Sequence, residues 1–266
     1  MFDSYGRVID YLRISITDRC NLRCSYCMPC GSFKSITPQR ILSFEEILAA
    51  VSAAADLGIN KVRLTGGEPL TRRGVVELVQ SIAAVPGIFT VAMTTNGVLL
   101  PRFARELKVA GLNVVNVSLD TLDPEKFRHI TRCGQLQSVI DGILCARDAG
   151  IERIKVNTVV GPETSSKELE AIRAFCDANG LIHQRIALYS LEAEKHDNHD
   201  CDRPLPCEEC NRIRLLSTGI LKPCLHSNEE VVFDPENPRR SIMRTVALKP
   251  EHGTVCTNRS MVEIGG

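Results

Sequence analysis

Between residues 12 and 189 the chain repeats one pattern six times: a short run rich in apolar residues, then a stretch with helical spacing of its apolar residues. The runs fall at residues 12–16, 61–65, 90–94, 113–118, 153–159 and 184–189. Strands pair in parallel only through a crossover of about a dozen residues or more, usually a helix, and such crossovers are right-handed. The pattern therefore predicts a parallel α/β sheet with helices outside it. Six units are two short of an eight-fold barrel, so a partial (β/α)6 TIM-type barrel is expected, with function at the C-terminal strand ends. Ser43-Phe-Glu-Glu46 reads as a capping box opening the first helix. Further helices are expected over 74–84, 102–110, a region ending near Ala149, and 165–179. After Tyr189 the period is lost. Residues 191–206 read as a linker, 213–216 and 220–221 as a hairpin about Ser217-Thr218-Gly219, and 228–266 as loop-rich. Two regions follow: a barrel over 1–190 and a small C-terminal extension over 191–266.

The strand ends carry the chemistry. Cys20-Asn-Leu-Arg-Cys24-Ser-Tyr-Cys27 follows the first strand, and three thiols in one loop can surround one metal centre. Iron–sulfur clusters ordinarily take four thiolates, so three would leave one iron open. A structural zinc would instead want a fourth ligand, for which Cys30 is spaced. A second set, Cys207, Cys210 and Cys224, is gathered by the hairpin. It fits a zinc knuckle completed by Cys201, Cys256, His196 or His199, or a second cluster. Cys133, Cys145 and Cys176 stand singly and read as small core residues. The first seven residues lack an apolar signal region and no apolar run is long enough for a bilayer, which makes the cytoplasm, where thiols stay reduced, the expected location.

Lys+Arg and Asp+Glu both number 32, so the balance argues against a nucleic-acid or membrane-surface binder. Cations must then be concentrated locally. Arg13, Lys61 and Arg63 lie on barrel strands, and Arg212 and Arg214 alternate along one strand beside a metal-type cysteine. Charge on such strands is costly unless it lines a cavity, and arginine reads phosphate bidentately. An anionic ligand is expected.

The cysteine loop together with Gly66-Gly67-Glu68-Pro69 resembles the radical S-adenosyl-L-methionine (SAM) enzymes. The run from Leu12 to Pro29, Val62 to Leu70, Thr94-Thr-Asn-Gly97, Asn116 to Asp120, Cys210-Asn-Arg-Ile-Arg-Leu215 and the Gly265-Gly266 end together resemble the GTP 3′,8-cyclase family of molybdenum-cofactor biosynthesis. The resemblance runs from Arg7 to Gly266. It implies a 4Fe–4S cluster on Cys20, Cys24 and Cys27 whose open iron takes SAM. Gly66, Gly67 and Glu68 would meet the SAM amino group, with Thr94, Ser118 and Lys155 on the rest of SAM. A second 4Fe–4S cluster on Cys207, Cys210 and Cys224 would face the guanine. Arg13, Lys61, Arg63, Arg185, Arg212 and Arg214 would surround GTP, and Gly265 and Gly266 would reach into the site. The implied reaction is 3′ hydrogen abstraction by a 5′-deoxyadenosyl radical, followed by attack on C8. Implied partners are an electron donor such as flavodoxin or ferredoxin and, downstream, a pyranopterin synthase. The family is usually longer between the positions of Arg185 and Cys207, and its Glu-Phe-Met-Pro-like run is here Leu188-Tyr189-Ser190-Leu191. Alternatives of similar architecture act on another nucleotide or on a peptide. A zinc-bearing binding module would explain the cysteines but not Gly66-Gly67-Glu68-Pro69.

Overall fold

The computed structural model describes residues 1–27, 41–195 and 200–264. Cys30, His196, His199, Gly265 and Gly266 lie outside the described residues. Six parallel strands alternate with helices as expected: β1 Tyr11–Ser15, β2 Lys61–Thr65, β3 Thr90–Thr95, β4 Val114–Ser118, β5 Arg153–Val160 and β6 Ile182–Ala187. The helices between them are α1 Phe44–Asp56, α2 Val75–Ala83, α3 Leu100–Val109, α4 Pro124–Thr131, α5 Leu136–Asp148 and α6 Ser166–Asn179. The Ser43 hydroxyl accepts from the Glu46 backbone N–H, and the Glu46 carboxylate accepts from Ser43 in return, so the capping box forms. The helical region before Ala149 is two helices, broken where Arg132 turns left-handed at φ 63°.

The C-terminal region continues the same sheet. β7 Arg212–Leu215 pairs in parallel with β1, and β8 Ile220–Lys222 and β9 Val231–Val232 follow antiparallel, giving the order β6-β5-β4-β3-β2-β1-β7-β8-β9. The expected hairpin is present, and β7 also extends the barrel sheet beyond its first strand. Residues 228–264 hold more regular structure than a loop-rich reading allows. They hold α7 Pro238–Ala247, which packs on α1 through Ile242 and Val246, and α8 Met261–Ile264. Of its three large apolar residues only Ile242 and Val246 turn inward, while Met243 is exposed, so its periodicity does not stand out. Lys222, fully buried in β8, donates to the Ser227 carbonyl at 2.8 Å and to Glu230 at 3.3 Å. Glu230 in turn receives Arg259 at 2.8 Å, which ties the segment before α8 to the sheet.

Leu, Ile and Val from the strands and helices bury one continuous core, from Leu12 and Ile14 in β1 to Ile172 in α6. The strands' other face lines a cavity.

Candidate active site

Strand register builds this cavity. Tyr11 stands opposite Lys61 on one side and Arg212 on the other. Two residues on, Arg13 stands opposite Arg63 and Arg214. Side chains two apart share a face and neighbouring strands lie about 4.8 Å apart, so two rows of charge lie side by side. Farther round, Thr94 pairs with Asn116 and Asn116 with Lys155, while Ser118 pairs with Asn157. All of these line one cavity of about 520 Å³, with Cys20, Cys24 and Cys27 at its wall.

The balance of charge in this lining is one-sided. Arg13, Lys61, Arg63, Arg153, Lys155, Arg203, Arg212 and Arg214 face Glu152 as the one acid among the described lining residues, and Glu152 is engaged by Lys108 at 3.1 Å. Burial, then Arg214, pulls the Arg13 guanidinium down to about 9. Burial also lowers Lys61 and Lys155. Like charges this close repel unless an anion lies among them.

Tyr11 is the centre of the group. Its hydroxyl accepts from Arg63 Nε at 2.6 Å, and Lys61 and Arg212 lie over its ring at 4.7 and 5.5 Å. Burial alone would raise its phenol, but Arg63, Arg13, Arg212 and Lys61 outweigh burial and bring it to about 7. One of the four tyrosines should therefore ionise near pH 7 in an ultraviolet titration, and Tyr11→Phe should abolish that step. The folded-state value is depressed, so the phenolate's interactions stabilise the fold at alkaline pH and are lost as pH falls through about 7. A polyanion bound among the same cations should push the step upward; an unmoved midpoint would contradict the arrangement.

The cysteine loop is fixed from both sides. Tyr26, between Cys24 and Cys27, donates to Asp120 at 2.8 Å just beyond β4. Gly67 N–H donates to the Thr17 carbonyl and Glu68 N–H to the Arg19 carbonyl, each at 2.8 Å. A Cβ on Gly66, whose φ is +141°, would strike the Thr17 carbonyl, and one on Gly67 would strike the carbonyls of Asp18 and Arg19. The two glycines are needed because this turn lies flat on the strand that delivers the cysteines. The Glu68 side chain is fully buried and does not line the cavity; it accepts from Leu70 N–H, Thr95 Oγ1 and Asn96 N–H.

Cys20 Sγ receives Leu22 N–H at 3.4 Å and Asn96 Nδ2 at 3.8 Å. Burial, then the neighbouring thiol of Cys27, pushes Cys24 up to about 12; burial, then Cys20, does the same for Cys27. Three close soft donors with N–H groups aimed at sulfur fit a thiolate-held cluster. The second set is also gathered. Cys207 Sγ accepts from Gly253 N–H at 3.4 Å, and a Cβ on Gly253 would press to 3.1 Å from Cys224 Sγ. Buried Lys249 donates to Cys210 Sγ at 3.2 Å and to the carbonyls of Arg212 and Pro223. Burial alone would raise Cys210, but Lys249 and Arg212 bring it down to about 7. Among the described residues no three His, Cys, Asp or Glu side chains converge as a single metal ion would require. These three cysteines do not line the cavity themselves; β7 carries Arg212 and Arg214 from them into it.

One expected residue is placed elsewhere. Alternation along β6 turns Gln184 and Ile186 inward and Arg185 outward, where its guanidinium stands 3.6 Å from Asp202. Three residues in the sites went unread. Tyr11 precedes the expected first strand, Arg203 lies in the stretch read as a linker, and Lys249 in the stretch read as loop-rich. The signal for Tyr11 was its i, i+2 relation to Arg13; Arg203 and Lys249 gave none.

Residues 14–176 match the radical SAM superfamily. The chain is 38% identical over 320 aligned positions to the GTP 3′,8-cyclase of Alkaliphilus oremlandii, covering 100% of both. It is 37% identical over 322 positions to that of Thermodesulfovibrio yellowstonii, again covering 100% of both. These alignments are longer than the 266-residue chain, so the relatives carry residues that it lacks. Among solved structures, Streptococcus suis SuiB bound to S-adenosylmethionine superposes with a TM-score of 0.65 at 15% identity, over 82% of this chain and 60% of that one. That likeness concerns the fold.

Proposed function

We infer the reaction from kinship: the chain belongs to the GTP 3′,8-cyclase family of the radical SAM superfamily. It is a radical SAM enzyme of the lyase type that joins C3′ of the GTP ribose to C8 of the guanine, and its cofactors are SAM and 4Fe–4S clusters. The observation that carries the substrate assignment is the double row of cations, Lys61–Tyr11–Arg212 and Arg63–Arg13–Arg214, facing a cavity walled by three cysteines.

In our reading Cys20, Cys24 and Cys27 hold the SAM cluster, and Cys207, Cys210 and Cys224 hold the second. When bound, SAM and its cluster supply a hydrogen-abstracting radical. The protein's part is to bind, orient and exclude water. Gly66 and Gly67 let the backbone come close to SAM, while Thr94, Ser118 and Lys155 line its path. Glu68 supports that turn from behind. Arg13, Arg63, Arg212 and Arg214 take the triphosphate and ribose in bidentate contacts, with Lys61 beside them as a point charge. Fixing the phosphates holds the ribose 3′ carbon in one place, and a dry barrel protects a reactive centre from side reactions. Gly265 and Gly266 are proposed to approach the substrate from the chain end. Among the described residues no helix is long and apolar enough to cross a membrane. We assign the enzyme to the cytoplasm, with a flavodoxin or ferredoxin as electron donor and a pyranopterin synthase consuming its product. The eleven described cysteines are free of disulfides, which suits that setting.

GTP deuterated at C3′ tests the reading. The label should appear in 5′-deoxyadenosine; unlabelled 5′-deoxyadenosine from labelled GTP would contradict 3′ abstraction. Lys249 gives an independent check of the second cluster. Its ammonium favours the more negative, reduced state, so Lys249→Met should move that cluster's potential negative by roughly 60–130 mV, the worth of one hydrogen bond to a charged group. An EPR-monitored redox titration reads this; an unchanged potential would remove Lys249 from the cluster.

A further inference from the structure

We propose that Arg203 is a substrate-binding residue of this chain, taking the inward position that alternation denies to Arg185. The proposal rests on the polyphosphate reading above.

Residues 202 and 203 run beside β6 as one more strand-like step. Ile186 and Arg203 form a parallel bridge, Ala187 N–H donates to the Arg203 carbonyl at 2.9 Å, and Arg203 N–H donates to the Arg185 carbonyl at 3.1 Å. Asp202 turns outward, where its carboxylate accepts from Arg185 N–H at 2.7 Å and stands beside the Arg185 guanidinium. The next side chain must then turn inward, and Arg203 lines the cavity while Arg185 does not. One Arg203 terminal nitrogen is buried with no hydrogen-bond partner. A buried guanidinium N–H without an acceptor is costly, and the groups within electrostatic reach are mostly cations.

Its neighbours show where it sits. Arg203 feels the charges of Arg212 of β7, Tyr11 of β1 and Arg63 of β2, and is felt in turn by Lys155 of β5. Carried beside β6 and lining the same cavity as Arg63 of β2, Tyr11 of β1 and Arg212 of β7, Arg203 faces these strands across the open side of the partial barrel. It would close the ring of donors around an anion held by the two rows of β1, β2 and β7. Arg185, already paired with Asp202 outside, is spare to this task.

The test is equilibrium binding of GTP and of guanosine to the anaerobically reconstituted full chain. Wild type is compared with Arg203→Ala, Arg203→Lys and Arg185→Ala. Loss of a charged hydrogen bond should weaken GTP binding to Arg203→Ala roughly 10- to 100-fold and leave guanosine unchanged. Arg185→Ala should match wild type. Arg203→Ala binding GTP like wild type, or Arg185→Ala losing as much, overturns the proposal. If Arg203→Ala fails to fold, Arg203→Lys decides: it keeps the charge and loses the planar fork, so GTP alone should bind more weakly, and wild-type affinity overturns the assignment. Wild type binding GTP no more tightly than guanosine would sink the polyphosphate reading itself, and Arg203's role with it.

Discussion

Cys24→Ser should abolish SAM cleavage, a loss on the order of 10³-fold or more, because hydrogen abstraction from a ribose has no comparably fast route without a radical. Cys24 lies mid-loop, its thiol pushed up by burial and by Cys27. A serine hydroxyl is a harder donor and scarcely ionises, so it cannot replace a thiolate on iron. Iron content should fall by about one cluster, four irons per chain. The fold should persist, since the loop is anchored by Tyr26, Asp120 and the Gly67 and Glu68 N–H groups rather than by Cys24. Cys145→Ser, which removes a thiol at the edge of the core, should retain both iron and SAM cleavage. Equal loss in both variants would mean that the assignment of Cys24 is wrong.

Glu68→Ala should be the most destabilising single change near the site. The carboxylate is fully buried and accepts three hydrogen bonds, from Leu70, Thr95 and Asn96, at 3.0, 2.7 and 2.7 Å. It thereby joins the end of β2 to the end of β3, and Asn96 passes the connection to Asn21 at 2.7 Å in the cysteine loop. Truncation leaves buried donors without an acceptor, a cost of about 3–5 kcal/mol. For a domain of this size that is roughly 6–20 °C in melting temperature. Glu68→Gln keeps the volume and one acceptor and should lose less. Burial outweighs the three hydrogen bonds and lifts the Glu68 carboxyl to about 7. A raised value means that the protonated acid suits the fold, so this contribution is whole below about pH 4.5 and is lost as pH rises through about 7. The deficit of Glu68→Gln should therefore narrow between those limits, as followed by thermal melts. A widening deficit would show that the ionised form is the one the fold prefers.

The six βα units were legible because each rests on local periodicity, and the two cysteine sets because ligand spacing along a chain is visible without a fold. Gly66 and Gly67 were legible as a motif, but their reason, the carbonyls of Thr17, Asp18 and Arg19 pressed against them, belongs to tertiary packing. The pairing of β7 with β1 was not legible. It joins segments some 200 residues apart, and the hairpin signal says nothing about which strand receives it. With that pairing hidden, the row through Tyr11 was hidden too. Arg185 shows how sharply a strand's phase matters: a one-residue offset sends a side chain to the opposite face. Arg203 lies in an aperiodic stretch just before Pro204, and its bridge to Ile186 fixes its direction. Lys249 and Lys222 are both buried, and nothing in the sequence around them marks it.

The central claim is that GTP is cyclised in the cation-lined cavity. The direct measurement is an anaerobic reaction of the iron–sulfur-reconstituted protein with SAM, dithionite and GTP, followed by mass spectrometry. 5′-Deoxyadenosine should form together with a cyclised nucleotide of unchanged GTP mass. Cleavage of SAM with GTP recovered intact would contradict it.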